Sequence, residues 1–256
     1  MRYISFCYPT NSVILERLTQ NLQLERISNS SKGIDNKFYA ISKIPKELDK
    51  EIFNVIKDIE KNPKKYNKYN DSLAGKIIHE YGLHADDTPI LLNFIKDKFN
   101  EMENLSKYAE SLFEQICSYF RHSVIGCDID FSDNWINFQK KYEYNPPHIH
   151  SGVYSWVIWY KIPYTLEGEA NTEIGKATKN HDTRTGDFVF STPGYMFNVH
   201  QNFLLDNRLE KTFLMFPSSL EHSVLPFYST DQYRITLAGN IHFNIQNSTF
   251  PRYPLK

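Results

Sequence analysis

The segment PPHIHSG at residues 146–152 is followed at once by the apolar, aromatic run VYSWVIWY at residues 153–160. Side chains on an extended strand repeat with period two, so His148 and His150 point the same way. The Pro-Pro pair holds the chain extended where it enters the histidines. We therefore expect two imidazoles to lie side by side at the start of a strand.

The segments around this stretch predict a core built from short strands. The run from Val153 to Ile162 is typical of a strand covered on both faces. Further extended segments follow at 186–190, 211–217, 222–226 and 232–243. Their length and spacing favour a sandwich or jelly roll over βαβ units. The polar stretches 166–185 and 198–210 are predicted to be loops, and the first of them is placed to lie over a site.

Two helical patterns precede these strands. The first begins after Pro45 and spans about 46–61, ending before Pro63 as a helix should. The second spans about 88–120 and opens with a capping residue and a proline; one long helix and two helices broken near 104–106 fit the pattern equally well. We expect an N-terminal mixed, helical buttressing region at 1–126, a β core at 127–245 and a tail at 246–256.

Composition narrows the class of protein. The chain has 256 residues, enough for one domain with a helical annex. Aromatic residues make up 15%, which favours a β-rich core. The net charge of −1 provides no field that would attract nucleic acid or an anionic membrane. We see no transmembrane or secretory segment, and three cysteines fit reduced thiols, so we expect a cytoplasmic protein.

The histidines form a pattern that suits a metal ion. Imidazole is a ligand for iron, zinc or copper, and the pair His148 and His150 supplies two such groups on one face. A third, His222, ends the segment FPSSLEH at 216–222, which is typical of a strand end followed by a tight turn. We therefore treat all three as candidate metal ligands.

Arg234 lies twelve residues beyond His222 and shares a strand face with Thr236. A guanidinium binds a carboxylate with two parallel hydrogen bonds, and a hydroxyl two residues further on would support it. Together with the histidines, this suggests non-haem iron and an acidic, dicarboxylate co-substrate. The alternative for Arg234 is a surface salt bridge.

Three aromatic residues of the apolar run are candidates for the wall of a substrate pocket: Tyr154, Trp156 and Trp159. Such a wall suits a peptide, a nucleobase or a small molecule, and aromatic residues also simply fill barrels. The sequence therefore leaves the primary substrate open, and it leaves the oligomeric state open as well.

Three segments resemble a known family: YNPPHIHSG at 144–152, FPSSLEHSVLP at 216–226 and YRITLAGNI at 233–241. They are similar to the 2-oxoglutarate/Fe(II)-dependent oxygenases common in tailed phages and marine bacteria. The segment DSLAGKII at 71–78 also resembles the upstream part of the phage-type members, so the resemblance covers about residues 70–245.

The resemblance implies an α+β protein with a double-stranded β-helix, a jelly-roll or cupin-like core, and N-terminal helices packed outside. It implies Fe(II) in the mouth of that core, 2-oxoglutarate chelating the metal, and Arg234 holding the distal carboxylate. O2 would be consumed, 2-oxoglutarate oxidatively decarboxylated and an unidentified substrate hydroxylated. A phage-encoded member would act in the host cytoplasm.

One departure from the usual pattern affects the metal site. The superfamily carries His-x-Asp/Glu and a distant His, but the residue two after His148 is His150, and the residue two after His150 is Gly152. Either three histidines bind the metal, or His150 and His222 bind it with the third position vacant or filled by a remote group. Glu143 is no obvious replacement, because the Pro-Pro turn separates it from the histidines.

Two other functions fit parts of the pattern. A cupin also uses His-x-His, although the acidic residue expected shortly afterwards is missing. A non-enzymatic jelly-roll protein, such as a virion or assembly component, would keep a metal for stability alone. Arg234 favours the oxygenase, because a structural metal needs no carboxylate-binding group beside its open face.

Overall fold

The structure is a computed structural model that describes residues 39–101, 124–178, 185–192 and 199–247. Its strands are β1 (Ala40–Lys43), β2 (His79–Leu83), β3 (Val124–Gln139), β4 (Asn145–His148), β5 (Tyr154–Lys161), β6 (Phe188–Thr192), β7 (Val199–Phe203), β8 (Thr212–Pro217), β9 (Glu221–Val224) and β10 (Arg234–Asn247). Its helices are α1 (Lys46–Lys61), α2 (Pro89–Glu101), α3 (Leu166–Ala170) and α4 (Glu173–Ala177). The α+β class is confirmed.

The strands form two antiparallel sheets. The larger has six strands in the order β1-β8-β5-β10-β3-β2, and the smaller has four in the order β4-β9-β6-β7. β10 lies at the centre of the larger sheet and pairs with both β3 and β5. Its registers decide which side chains face those of Arg234 and Thr236 across the sheet.

β5 is the predicted strand that is covered on both faces. Its residues from Tyr154 to Trp159 are all buried. Trp156 and Ile158 belong to the hydrophobic cluster that includes the two long helices, whereas Val157 and Trp159 belong to the cluster shared with the smaller sheet. An unbroken apolar run is needed here because both faces of the strand exclude water.

The two long helices pack on the larger sheet from outside. α1 has the predicted bounds, and it buries one face: Leu48, Ile52, Val55, Ile56 and Ile59. α2 begins at Pro89, and the Glu51 carboxylate of α1 accepts hydrogen bonds from the N–H groups of Ile90 and Leu91 at 2.9 and 2.8 Å. A carboxylate at a helix N-terminus stabilises the helix.

The remainder of the predicted second helix, about residues 102–120, lies outside the described residues. None of the helices in the described part of the chain combines the length and the apolar character that crossing a bilayer requires.

The N-terminal region, predicted to be mixed, supplies strands as well as helices, since β1 and β2 form the edges of the larger sheet. Two predicted loops differ from the structure. β7 lies within the stretch 198–210 that was predicted to be a loop; it pairs with β6, so the sheet and not its own mixed sequence determines its conformation. The predicted loop 166–185 contains α3 and α4, each capped by a threonine hydroxyl; residues 179–184 lie outside the described part.

Residues 70–78, which we call the strap, connect a short turn to β2 and bond to the chain just before β4. The Lys76 N–H donates to the Tyr144 carbonyl at 2.7 Å. The Asn70 amide donates to the Ile77 carbonyl at 2.5 Å and to the Glu80 carboxyl at 3.1 Å. The Glu80 side chain therefore helps to fix the conformation of the strap.

Glu80 is 1% exposed. Burial, and then the negative charge of Glu143, raise the pKa of the Glu80 carboxyl from 4.5 to about 7. The fold therefore favours the neutral acid. Because the pKa is higher in the folded protein, the resulting stability is fully present below pH 4.5 and is lost as the pH rises through 7.

We predict that Glu80→Gln reduces the pH dependence of the free energy of unfolding. Between pH 5 and pH 8 the wild type should lose about 1–3 kcal/mol more than the variant, because the amide stays neutral. Urea unfolding at both pH values measures this difference. Glu47→Gln, at an exposed position of α1, controls for the loss of one carboxylate. Equal pH dependence in wild type and Glu80→Gln would contradict the prediction.

Candidate metal centre and adjoining cavity

The pairing of β4 with β9 brings the three histidines together. His148 lies directly opposite His222 in this antiparallel pair. His150 follows two residues later, and its N–H donates to the Ser218 carbonyl at 2.9 Å. The ring centroids are 4.3 Å apart for His148 and His222, 4.8 Å for His148 and His150, and 5.0 Å for His150 and His222.

Hydrogen bonds orient two of these imidazoles. The Nδ1 of His148 lies 2.7 Å from the Pro146 carbonyl oxygen, and the Nδ1 of His222 lies 3.0 Å from the Leu220 carbonyl oxygen. A carbonyl oxygen only accepts, so each Nδ1 carries the proton and donates it. The lone pair of each ring is then on Nε2, as in histidines that bind a metal.

The histidines are also held in the neutral form. Burial, reinforced by the neighbouring His148, lowers the pKa of His150 to about 4. Burial lowers the pKa of His148 and, together with the other two imidazoles, that of His222. A metal binds neutral imidazole. At neutral pH the cluster therefore presents three rings without protons that a metal would have to displace.

No carboxylate joins this cluster in the described part of the chain; the group that offers three ligand atoms within 4.8 Å of one another consists of the three imidazoles. Asp133 lies beside it, and its negative charge partly opposes the lowering of the His150 pKa. Its carboxylate instead accepts from the hydroxyl of Tyr69, the amide of Asn240 at 2.8 Å and the ring of His242 at 3.1 Å. The geometry thus offers three nitrogen ligands.

The histidines line one side of a cavity of about 640 Å³, open space at its mouth included. Arg234 and Thr236 line the same cavity, as do Trp156 and Trp159 of β5. Leu73, Ala74 and Ile77 of the strap contribute to the wall as well. The structure therefore brings together nearly all the residues that the sequence singled out.

Tyr154 is the exception. It is fully buried in the cluster shared with the helices, and its ring centroid is 5.9 Å from that of Phe99 in α2. The side chain at this position packs against the helices and does not line the cavity. Trp156 reaches the cavity from the same face, and a Cβ at Gly239 would lie 2.7 Å from its ring.

Arg234 is fully buried, so it forms no surface salt bridge. All five of its N–H groups donate to the protein. Nε and Nη2 donate to Gln139 Oε1 at 3.0 and 2.6 Å, and Nη1 donates to the Tyr164 hydroxyl at 2.5 Å and the Gly186 carbonyl at 2.8 Å. Nη2 also donates to the Leu225 carbonyl at 3.2 Å. Every acceptor is neutral.

The charge of Arg234 therefore has no anionic partner among the described residues. The side chain is flanked by two aromatic rings, with its central carbon 5.9 Å from the Tyr164 centroid and 5.5 Å from that of Phe227. These rings contribute a modest attraction. They do not replace a counter-ion.

The sequence alone does not identify Gln139, Asn137 or Tyr164 as candidate site residues. Gln139 and Asn137 alternate along β3 and stand opposite Arg234 and Thr236 of β10. The Asn137 amide donates to the Thr236 hydroxyl at 3.4 Å. The alternation is visible in the sequence, but the register of β3 against β10 is not.

Comparison with known proteins agrees with this site. Residues 133–240 match a family model described as "Putative 2OG-Fe(II) oxygenase". A search of the curated proteins found no match. Among solved structures, a Pseudomonas putida prolyl-4-hydroxylase is 10% identical, with 92% of this chain and 100% of that chain covered and a TM-score of 0.45.

Two further structures are similar at the same level. A Trichoplax adhaerens prolyl hydroxylase in complex with a hypoxia inducible factor peptide is 11% identical, covering 90% of this chain and 94% of that chain with a TM-score of 0.41. A Burkholderia pseudomallei oxidoreductase of the 2OG-Fe(II) oxygenase family is 14% identical, covering 49% of each chain with a TM-score of 0.31.

The matched segment contains all three histidines as well as Arg234 and Thr236. The cofactors of this family are Fe(II), 2-oxoglutarate and O2. This match confirms the resemblance seen in the sequence: residues 133–240 are similar to the 2-oxoglutarate- and Fe(II)-dependent oxygenases.

Proposed function

We propose that the protein is a dioxygenase that couples the oxidative decarboxylation of 2-oxoglutarate to the hydroxylation of a primary substrate still to be identified. Fe(II) is held by His148, His150 and His222, and the distal carboxylate of 2-oxoglutarate is held by Arg234 with Thr236 beside it. The two sheets of residues 127–245 then correspond to the double-stranded β-helix of the family. The observation that carries the proposal is the buried positive charge of Arg234 in the cavity of the histidines, where it forms no ion pair with a described carboxylate.

The histidine cluster fits Fe(II). Imidazole is among the ligands of non-haem iron, and two of the rings are fixed with Nε2 available. The third imidazole replaces the usual carboxylate, so all three ligands are neutral. The metal would keep its full charge of +2, which favours a dianionic co-substrate.

The environment of Arg234 fits the other end of that co-substrate. A charge without a partner in a low-dielectric interior costs several kcal/mol. A carboxylate that enters the cavity would relieve this cost through its attraction to the guanidinium charge. The remaining wall near Trp159 and Phe188 is apolar, which suits the methylene groups between the two carboxylates.

When they are bound, Fe(II) and 2-oxoglutarate supply the oxidation: O2 gives one oxygen atom to the succinate formed with CO2 and the other to the substrate. The protein's own residues bind and orient. The three histidines would hold the metal, Arg234 would hold the far end of the co-substrate, and the strap would limit the access of water. We place the primary substrate beside Trp156 and Trp159.

A metal site that serves only stability is the second candidate. It accounts for the histidines equally well, but it leaves the buried charge of Arg234 without a role. We therefore rank it below the oxygenase.

Uncoupled turnover tests the activity itself. With Fe(II), O2 and ascorbate, the protein should release succinate from 2-oxoglutarate slowly, and a screen of substrates should reveal compounds that stimulate the release. His222→Ala should abolish succinate formation. Absence of succinate in both the uncoupled assay and the screen would contradict the proposed activity.

We predict that His148→Ala, His150→Ala and His222→Ala each lower the affinity for Fe(II) or Mn(II). Loss of a ligand should cost more than the roughly 10- to 100-fold that is typical when an outer partner of a ligand is removed. Anaerobic calorimetric titration with the metal measures the affinity, and His84→Ala, at an exposed position, is the control. An unchanged affinity in all three variants would exclude the cluster as the metal site; an unchanged affinity in His148→Ala alone would assign the third position elsewhere.

We predict that Arg234→Ala weakens the binding of 2-oxoglutarate by about 10- to 100-fold, because it removes the positive charge that attracts the distal carboxylate. Arg234→Lys should recover only part of this loss, since it keeps the charge without the planar fork. Titration of the anaerobic Mn(II) protein with 2-oxoglutarate measures both. Metal affinity should stay unchanged and so report intact folding. Arg208→Ala, at an exposed arginine paired with Asp206, is the control; equal affinity in Arg234→Ala and wild type would rule out this role.

A further inference from the structure

Gln139 is the side chain that accepts two hydrogen bonds from Arg234. It is 2% exposed, lines the cavity and ends β3 directly opposite Arg234. Its Oε1 accepts from both Nε and Nη2 of the guanidinium, at 3.0 and 2.6 Å. One oxygen atom thus accepts from two N–H groups on the edge of the guanidinium that a carboxylate would commonly engage with both of its oxygens.

The orientation of the Gln139 amide is fixed by its other end. Nε2 lies 2.5 Å from the main-chain carbonyl oxygen of Glu143. That oxygen only accepts, and the guanidinium only donates. The carbonyl oxygen of the amide must therefore face Arg234, and the NH2 group must face Glu143. A glutamine satisfies both neighbours at once, whereas a carboxylate would lack the donor for Glu143.

A neutral group thus occupies the place where a counter-ion would be expected. The amide holds the guanidinium in position, yet it leaves the positive charge uncompensated. With a glutamate at 139 the protein would carry its own counter-ion, and an incoming carboxylate would meet a neutralised pair and a like charge. Glutamine and glutamate differ only in that the NH2 group of the amide is replaced by a carboxylate oxygen.

We propose that Gln139 is a specificity-determining residue for the co-substrate: its uncharged amide positions Arg234 and keeps the guanidinium charge available for the distal carboxylate of 2-oxoglutarate. The inference rests on the proposed function, since it concerns the same carboxylate. It adds Gln139 to the residues that determine co-substrate binding. It also adds a requirement on charge: the side chain at position 139 must accept hydrogen bonds and must not be anionic.

The test compares 2-oxoglutarate with 2-oxopentanoate, which has the same chain but ends in a methyl group. Calorimetric titration of the anaerobic Mn(II) protein gives both affinities without turnover. Wild type should prefer 2-oxoglutarate by about 10- to 100-fold. Gln139→Glu should reduce the preference to within about threefold, mainly through weaker binding of 2-oxoglutarate.

Gln139→Met separates charge from positioning. It removes the acceptor without adding a charge, so both ligands should bind more weakly while the preference stays at least as large as in wild type. The lost contact with Glu143 affects both ligands in the same way and cancels in the ratio. Metal affinity reports whether each variant is folded, and Gln139→Asp carries the same charge if the glutamate variant does not fold.

Gln139→Glu with the wild-type preference would overturn the inference and leave the proposed function intact, since a purely positioning residue would serve equally well as a carboxylate. A collapsed preference in Gln139→Met would overturn it too, because neutrality would then not be the decisive property. Wild type that binds no 2-oxoglutarate would count against the proposed function, and this inference would fall with it.

Discussion

The positive charge of Arg234 is the constraint around which the cavity is built. Among the described residues that line the cavity, Arg234 alone carries a permanent charge. The three imidazoles beside it are held neutral by burial. A fully buried cation that meets only neutral acceptors makes the empty protein less stable than one with an internal ion pair. We expect the same arrangement to favour the binding of an anion in the cavity.

The replacement of a carboxylate ligand by an imidazole changes the charge of the whole site. With two histidines and one carboxylate, Fe(II) and its ligands carry a net charge of +1; with three neutral histidines they carry +2. Adding Arg234 gives +3 in one cavity, and a dianion such as 2-oxoglutarate reduces this to +1. A three-histidine centre therefore depends more on the co-substrate for neutralisation, and its co-substrate should bind more tightly at low salt.

Features that depend on residues close together in the chain could be predicted from the sequence. Period two placed His148 and His150 on one side of the chain, and the 3.6-residue period gave the bounds of α1. The unbroken run at 153–160 identified β5 as a strand buried on both faces. Each of these features depends on residues that are close in the chain.

Features that depend on pairing between distant segments could not be predicted. The sequence does not contain the register that sets His148 opposite His222, or the one that sets Gln139 opposite Arg234. β7 was missed because its conformation depends on β6. Tyr154 was assigned to the cavity because an apolar run looks the same on both faces, and only the packing of α2 shows which face it occupies.

The acceptors around Arg234 come from four separate segments, which explains why this charge can be held without a counter-ion. Gln139 ends β3, Tyr164 follows β5, Gly186 precedes β6 and Leu225 follows β9. Each segment alone supplies one or two weak, neutral acceptors, but together they satisfy all five N–H groups. Because the segments belong to both sheets, the guanidinium also ties the two sheets together. Arg234, the group proposed to bind the anion, is thus a structural link as well. Its hydrogen-bond geometry is fixed before any ligand enters. A ligand would therefore gain its affinity from the charge of the guanidinium and not from ordering its side chain.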